Sequence, residues 1–185
     1  MRNMNEASGN GTLRSRRTKQ IFGAYWVVTV ALGLALPRGD DMAALRGLAH
    51  SFIGGLRGVV QVASRSFDPG FVEVFAALSL GSALALAVAS CFWIPSGSGK
   101  FFPDKKAKAV FLLAAGLLFT LALGLALKEY SSVGLSGGRT AAFLHLGSST
   151  KWGVLTILNA WFGFSQLFFF VALRAGATTP VQRNS

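Results

Sequence analysis

Residues 74–99 read VFAALSLGSALALAVASCFWIPSGSG, without a charged side chain between Glu73 and Lys100. A helix needs about 20 consecutive apolar residues to cross a hydrocarbon core of about 30 Å. The block meets this requirement up to Pro95, which ends its apolar part. We therefore expect a transmembrane helix over residues 74–95.

Three other blocks of the chain have the same character. They cover residues 20–37, 109–127 and 152–173. Only 14% of the 185 residues are charged, against about 25% in soluble domains. The sequence therefore predicts an all-α fold, a four-helix transmembrane bundle in a single domain of residues 20–174. A basic tail of residues 1–19 precedes the bundle, and a C-tail of residues 175–185 follows it.

The positions of the basic residues predict how the bundle is oriented. Of the 18 Lys and Arg residues, eleven lie in or next to the two tails and the loop after the second span, and seven lie in the other two loops. Because cytoplasmic segments are enriched in Lys and Arg, both termini are expected in the cytoplasm. The net charge of +11 is explained by these flanking positions, so no nucleic-acid partner is expected. Tyr25 and Trp26 would then lie at the inner interface, where aromatic side chains collect.

The first outer loop contains a stretch with helical periodicity, residues 41–65. Its polar side chains and its large apolar side chains each follow the helix period and fall on opposite faces. The polar face carries Arg46, His50, Arg57, Gln61 and Arg65, and the apolar face carries Leu45, Leu48, Phe52, Leu56 and Val59. We expect one amphipathic helix in the membrane interface, with its apolar face against lipid or against the outer ends of the spans.

Two of the predicted spans carry small residues at intervals of four. Such ridges let helix backbones approach closely in a membrane, where apolar area gives little drive for association. We therefore predict helix packing at these positions. They are Ala77, Gly81, Ala85 and Ala89 in the second span, and Gly116, Thr120 and Gly124 in the third.

The fourth span differs from the others by a stripe of polar and small residues within an aromatic helix. The stripe consists of Thr156, Asn159, Gly163 and Gln166. Amide side chains in hydrocarbon are costly without a hydrogen-bonding partner, so the stripe must face protein or water. Two interpretations follow. The stripe makes hydrogen bonds between helices, which we favour, or it lines a pore or a ligand groove.

The sequence contains little that could support catalysis. None of the predicted span interiors holds Asp, Glu, Lys, Arg or His, and no nucleophile-and-base set, metal-ligand cluster or phosphate-binding loop is present. We expect no enzymatic activity, no cofactor and no metal. The single cysteine, Cys91, lies at the inner end of the second span, a position compatible with palmitoylation.

These patterns predict a non-enzymatic membrane subunit. It would work by assembling with itself, as a homo-oligomer, or with a partner protein in a larger membrane complex, in contact with membrane lipid. The alternative is a small channel or carrier lined by the stripe of the fourth span, and a third reading is lipid sensing through the helix of the first outer loop. A multi-pass location in a plasma or bacterial inner membrane is expected, with an organelle membrane as the alternative.

Overall fold

A computed structural model describes residues 2–37, 39–93, 104–129, 138–178 and 181 of the chain. These residues form helices joined by short turns, so the predicted all-α class is confirmed. The elements are α1 (Arg2–Ala35), a 3₁₀ turn (Gly39–Met42), α2 (Ala43–Ile53), α3 (Arg57–Ser64), α4 (Pro69–Trp93), α5 (Lys105–Leu127), α6 (Gly138–Ser148) and α7 (Lys151–Thr178). The end of the second predicted span and most of the predicted C-tail lie outside the described residues.

Within the described ranges, two helices are long and apolar enough to cross a membrane. They are α4, with 25 residues, and α7, with 28 residues. The crossings expected for α1 and α5 remain a prediction. The basic tail expected before residue 20 is part of α1, which runs as one helix of 34 residues.

The start of α4 lies five residues before the predicted start of the second span, and Asp68 is the reason. Its side-chain Oδ1 accepts a hydrogen bond of 2.9 Å from the Phe71 N–H, and its carbonyl accepts one of 3.0 Å from the Val72 N–H. Asp at the cap and Pro at the first helical position are typical of helix N-termini. The helix therefore starts at Pro69 and carries Glu73 inside its second turn.

The ends of several long helices meet at one end of the bundle, where basic side chains bind backbone carbonyls. Arg17 of α1 donates to the carbonyl of Trp93 at 2.7 Å. Lys108 of α5 donates to the carbonyl of Ala177 at 3.0 Å, and Arg174 donates to two carbonyls in the last turn of α4. These cations satisfy carbonyls that a helix leaves open at its C-terminus. The basic segments that the charge count assigned to one side of the membrane thus share one end of the bundle.

The opposite end is closed by contacts that α6 and α7 make with the end of α1 and with the turn before α4. Lys151 Nζ lies 3.4 Å from the carbonyl oxygen of Leu34 and 3.3 Å from that of Leu36. The N–H of Phe67 donates to the carbonyl of Ser148 at 3.1 Å. The long helices α1, α4, α5 and α7 therefore run alternately up and down between the two ends, and α2, α3 and α6 lie at this second end.

The helix α7 occupies the centre of the packing. It contacts α1, α4, α5 and α6, whereas α4 packs mainly on α1, α2, α3 and α7. The neighbouring helices α4 and α5 hardly touch each other. The gap between them is closed on its inner side by α7 and at one end by the α2–α3 pair.

The predicted amphipathic helix over residues 41–65 is wrong as a single element. Two helices, α2 and α3, occupy this stretch, and the helical conformation is interrupted between them at Gly54 and Gly55. Glycine disfavours the helix interior by about 1 kcal/mol, so two in succession provide a natural break.

The contact with lipid expected for the apolar face remains a prediction for α2. Its buried side chains are Ala49 and Ile53, whereas Leu45, Leu48 and Phe52 of the predicted apolar face are 49%, 70% and 53% exposed. The rotation of α2 about its axis is set by Arg46, which faces α4 and pairs with Glu73. By contrast α3 buries Val59, as its periodicity predicts.

Candidate functional site

A buried polar cluster joins α1, α4 and α7. Its members are Tyr25, Thr29, Ser79 and Asn159, all of them buried. The Asn159 carboxamide oxygen accepts hydrogen bonds from Tyr25 at 2.7 Å and from Ser79 at 2.9 Å. Its amide nitrogen donates to Thr29 Oγ1 at 2.8 Å, and Thr29 in turn donates to the Tyr25 carbonyl at 2.7 Å. The side-chain polar atoms of Asn159 are thus both satisfied within the chain.

The local form of α7 brings Asn159 to this cluster. The segments Val154–Leu158 and Ala160–Phe164 on either side of it have π-helical hydrogen bonding, in which an N–H reaches the carbonyl five residues earlier. The Asn159 N–H bonds to the Val154 carbonyl in this way. One turn later, Gly163 leaves no room for a side chain, because a Cβ there would lie 2.5 Å from the carbonyl oxygen of Ser79 and against the Tyr25 hydroxyl. A wide helix and a glycine together let α7 approach α4 and α1.

Sequence reasoning missed three of the four members of the polar cluster. Tyr25 was expected at the inner interface and instead is fully buried. Its spacing of four residues from Thr29 places both on one helix face, which is the signal that could have found them. Ser79 could have been found only through its partner, because a lone Ser in an apolar helix commonly bonds its own backbone.

An apolar cavity fills the gap between α4 and α5. Its volume is about 280 Å³, and its walls come from α4, α5 and α7, with α2 and α3 at one end. Five of the lining side chains are aromatic and one is polar. They are Phe52, Phe119, Trp161, Phe162 and Phe170, together with Gln166.

Gln166 contrasts with Asn159 seven residues before it. It lines the cavity and is half-buried, and its side chain makes no hydrogen bond with any described residue. An amide without a partner in an apolar environment is unfavourable by at least about 1 kcal/mol. The two amides of α7 therefore differ, because one is satisfied by its own fold and the other has no hydrogen bond with a described residue.

The four residues of the predicted polar stripe lie in three different environments. Thr156 is exposed and bonds only the carbonyl of Trp152, at 2.7 Å, in its own helix. Asn159 and Gly163 face the polar cluster, and Gln166 faces the cavity. The structure does not bring the four residues to one continuous surface within the chain.

The glycines of the small-residue ridges make no close helix contacts within the described part of one chain, so the close packing expected at them remains a prediction. A Cβ added at Gly81, Gly116 or Gly124 would meet nothing within 4 Å. The ridge of α4 is half-buried to exposed along its whole length, and Thr120 of the α5 ridge bonds only the Gly116 carbonyl, at 2.9 Å. The reason is that α4 turns a different face to α1 and α7. That face consists of Ala76, Ser79, Ala83, Ala87 and Ser90, with Ala77, Ala85 and Ala89 outside it.

The polar residues expected on the interfacial helix are separated by the break at Gly54. Arg46 Nε lies 2.6 Å from Glu73 Oε2, and the Glu73 side chain is only 6% exposed while that of Arg46 is 48% exposed. Arg57 pairs with Glu129 at 2.7 Å on the surface, where both side chains are more than 60% exposed. The other three are distributed over the surface, with His50 and Arg65 exposed and Gln61 half-buried.

The chemistry that these sites offer is hydrogen bonding and apolar contact. In the described parts of the chain, no three His, Cys, Asp or Glu side chains come close enough to hold a metal ion. Cys91 is exposed, with Sγ 3.7 Å from the carbonyl oxygen of Ala87. No protein family, curated protein or solved structure matches this sequence.

Proposed function

We propose that this protein is a non-enzymatic membrane subunit that assembles with copies of itself or with a partner membrane protein. In this proposal α1 and α5 cross the membrane together with α4 and α7, and both termini are cytoplasmic. The observation that carries the proposal is the position of the two small-residue ridges. The glycines of these ridges, Gly81, Gly116 and Gly124, have open space over them.

Outward-facing ridges are surfaces to which a further helix can come close. Small residues at intervals of four allow contact between backbones, and such contacts drive association in lipid. Within this chain the close approaches occur elsewhere, at Gly33, Gly163 and Gly176, where a Cβ would strike a neighbouring helix. The ridges are therefore not needed for the fold of one copy, and assembly gives them a role.

The surface of α5 supports its placement in lipid. The helix is 23 residues long, and its large apolar side chains are mostly exposed. They include Val110, Leu113, Leu117, Leu121 and Leu127. Water-soluble proteins rarely expose apolar patches of this extent. Hydrocarbon around α5 removes this surface from water, and the exposed Val27, Val28, Leu32 and Leu34 of α1 support the same placement for that helix.

The separate environments of the polar stripe favour assembly over the channel or carrier. A water-filled path needs polar groups along one continuous lining. Asn159 is fully buried in the polar cluster, and the cavity beside it offers Gln166 as its polar side chain. These observations support an interpretation in which Asn159 belongs to the polar cluster and Gln166 belongs to the cavity.

The test is to block the ridges with a bulky side chain. Gly81→Leu and Gly124→Leu should each weaken association about fivefold or more, because inserting a larger side chain into a close-packed contact is unfavourable by about 1–3 kcal/mol. Association is measured by crosslinking in native membranes, which detects both a second copy and a partner protein.

Gly23→Leu is the matched control, because Gly23 lies on α1 with equally open space around it and belongs to neither ridge. Its crosslinking should equal that of the wild type. Undiminished crosslinking of both ridge variants, or an equal loss in Gly23→Leu, would contradict the proposal.

A further inference from the structure

We propose that the cavity between α4 and α5 binds a membrane-dissolved molecule whose ring carries a carbonyl or hydroxyl oxygen, the class to which quinones belong. The ring would lie among the aromatic side chains of the cavity, and its oxygen would hydrogen bond the carboxamide of Gln166. This site is independent of the ridges and does not depend on assembly.

The size of the cavity fits a ring rather than a protein helix. Pockets for small molecules in proteins are typically about 300–1,000 Å³. A cavity of about 280 Å³ lies at the small end of this range, which suits the ring of a ligand. A helix is about 10 Å across or more with its side chains, so a partner helix does not enter.

The amide of Gln166 selects a ligand that has an oxygen. Its side chain lines the cavity and makes no hydrogen bond with any described residue. A carboxamide offers two N–H donors and one acceptor oxygen. A purely hydrocarbon occupant would leave all of them unsatisfied, whereas a carbonyl or hydroxyl oxygen satisfies at least one.

The depth of Gln166 separates this ligand from an ordinary phospholipid. The residue lies 15 positions after Lys151 and 12 before Thr178, the ends of α7. The predicted span ends at residue 173, so at 1.5 Å per residue Gln166 lies about 10 Å inside a hydrocarbon core about 30 Å thick. The ester oxygens of phospholipids lie at the edge of that core, about 10 Å away. The partner of Gln166 must therefore be an oxygen carried within the hydrocarbon.

The walls of the cavity favour a flat ring over a flexible chain. Trp161 and Phe162 on α7, Phe119 on α5 and Phe52 on α2 present aromatic surfaces to it. Aromatic rings gain contact energy from stacked or edge-to-face neighbours beyond the burial of area. A ligand ring can use several of these surfaces at once.

Access to the cavity lies between α4 and α5, because these helices hardly touch. Four lining residues, Phe52, Leu84, Leu123 and Phe170, are also partly exposed at the surface. They mark an opening on the side of the bundle that faces lipid in the proposed topology. A ligand dissolved in the membrane reaches the cavity without passing through water.

Trp161 lines the cavity, so its fluorescence can report the binding of a ligand there. A variant with Trp26, Trp93 and Trp152 each changed to Phe keeps Trp161 as its single tryptophan. It is placed in phosphatidylcholine vesicles and titrated with a benzoquinone that carries a ten-carbon chain, because quinones quench tryptophan fluorescence. We expect saturable quenching. A second variant that keeps Trp93 alone, at the end of α4, should show only the linear quenching caused by partitioning into lipid.

The role of Gln166 is tested by replacing it with leucine in the Trp161-only variant. Gln166→Leu should weaken quinone binding about 3- to 30-fold, the range for one hydrogen bond in hydrocarbon. Since no hydrogen bond of the described fold is lost, folding should be unchanged. Gln61→Leu, the same change on α3 away from the cavity, should leave the affinity unaltered. Gly81→Leu should also leave it unaltered, which separates this site from assembly.

Two results would overturn the proposal. One is linear quenching of Trp161 equal to that of Trp93, which means that the quinone only partitions into the lipid. The other is saturable quenching that Gln166→Leu does not change and that decylbenzene, a ligand without oxygen, displaces with equal affinity. The second result would make the cavity a site for hydrocarbon in general.

Discussion

The carboxamide of Asn159 is shared by side chains from three helices that are far apart in the sequence. Tyr25 and Thr29 come from α1 and Ser79 comes from α4. All four side chains are withdrawn from solvent. Tyr25 and Ser79 also lie 2.7 Å apart, so the loss of Asn159 removes the carboxamide that links α1 and α4 to α7. In sequence terms Asn159 and Gln166 form one stripe, yet the first holds the fold together and the second faces a cavity.

Asn159→Leu is expected to destabilise the folded protein by about 1–3 kcal/mol, because three buried hydroxyl groups each lose their hydrogen bond to the carboxamide. The measurement is the free energy of unfolding in detergent, from denaturant or heat. The matched control is Gln166→Leu, the same kind of change on the same helix, which should shift stability by less than about 0.5 kcal/mol. Equal stabilities of the two variants would contradict the assignment of Asn159 to the fold.

Gly163→Ala is expected to destabilise the protein by about 1–3 kcal/mol, because an added methyl group in a filled site forces neighbours apart. Its Cβ would lie 2.5 Å from the backbone oxygen of Ser79, which cannot move without shifting α4. Gly81→Ala, in open space on α4, should instead be neutral or stabilising by up to about 1 kcal/mol, from helix propensity. Thermal unfolding of the two variants side by side checks both, and a stable Gly163→Ala protein would refute the close approach.

At the scale of elements, the α2–α3 pair shows how one ion pair can set which face of a helix meets the bundle. The spacing of Leu45, Leu48 and Phe52 predicted that this face would be covered by lipid or by the spans. The structure turns Arg46 to Glu73, which is nearly inaccessible, and the apolar face stays open to lipid. An unpaired charge in that place would be far more costly than three apolar side chains facing lipid or the interface. Their exposure is compatible with a membrane, where apolar side chains can be covered from outside.

Arg46→Ala should loosen α2 from α4 and destabilise the protein by about 1–3 kcal/mol. The estimate is lower than that for a fully buried pair, because Arg46 is half exposed and water screens part of the interaction. Stability is measured by thermal unfolding, and the loosening by faster proteolysis within residues 39–56.

Two further variants make this expectation specific. Arg57→Ala removes the partner of Glu129 on the surface and should change stability by no more than about 1 kcal/mol. Adding Glu73→Gln to Arg46→Ala removes the uncompensated charge and should restore part of the loss. Equal effects of Arg46→Ala and Arg57→Ala, without recovery in the double variant, would refute the role of Arg46 in holding α2 against α4.

For the whole molecule, the sequence allowed the positions of the helices to be predicted better than their contacts. The charge-free block from residue 74 marked α4, and Asp68 and Pro69 only moved its start. Periodicity shows which residues share a face, but not which neighbour covers it. Glu73 was therefore read as a flank, since its partner Arg46 lies on another helix.

The same limit applies to the candidate site. Gln166 could be singled out from the sequence as a costly polar group in hydrocarbon. Its cavity could not, because that cavity results from the separation of α4 and α5 around α7, and no local pattern encodes this distance. Of the polar cluster, only Asn159 could be singled out from the sequence. Its partners on α1 and α4 look like ordinary Tyr, Thr and Ser residues.

The proposed topology predicts which surface positions are reached from each side of the membrane. In a Cys91→Ser background, His50→Cys should react with a membrane-impermeant maleimide added to intact cells. Lys105→Cys should react only after the membrane is opened, because the start of α5 would be cytoplasmic. Both side chains are exposed, so accessibility depends on the side of the membrane and not on burial.

The opposite labelling pattern would reverse the orientation. An independent check is the glycosylation sequon Asn10-Gly11-Thr12. With a cytoplasmic N-terminus it should carry no glycan when the protein is expressed in a eukaryotic cell. Glycan at Asn10 would contradict the proposed topology even if the labelling were ambiguous.

The central position of α7 has a consequence for the order in which the ribosome makes the chain. Tyr25 and Ser79 are translated early, and their shared partner Asn159 is translated long after them. The same helix supplies Arg174, which binds the last turn of α4. In an unfinished chain, α1 and α4 therefore lack the carboxamide that both of them contact in the folded protein, and α4 lacks the guanidinium as well. A chain that terminates before residue 159 never gains these contacts.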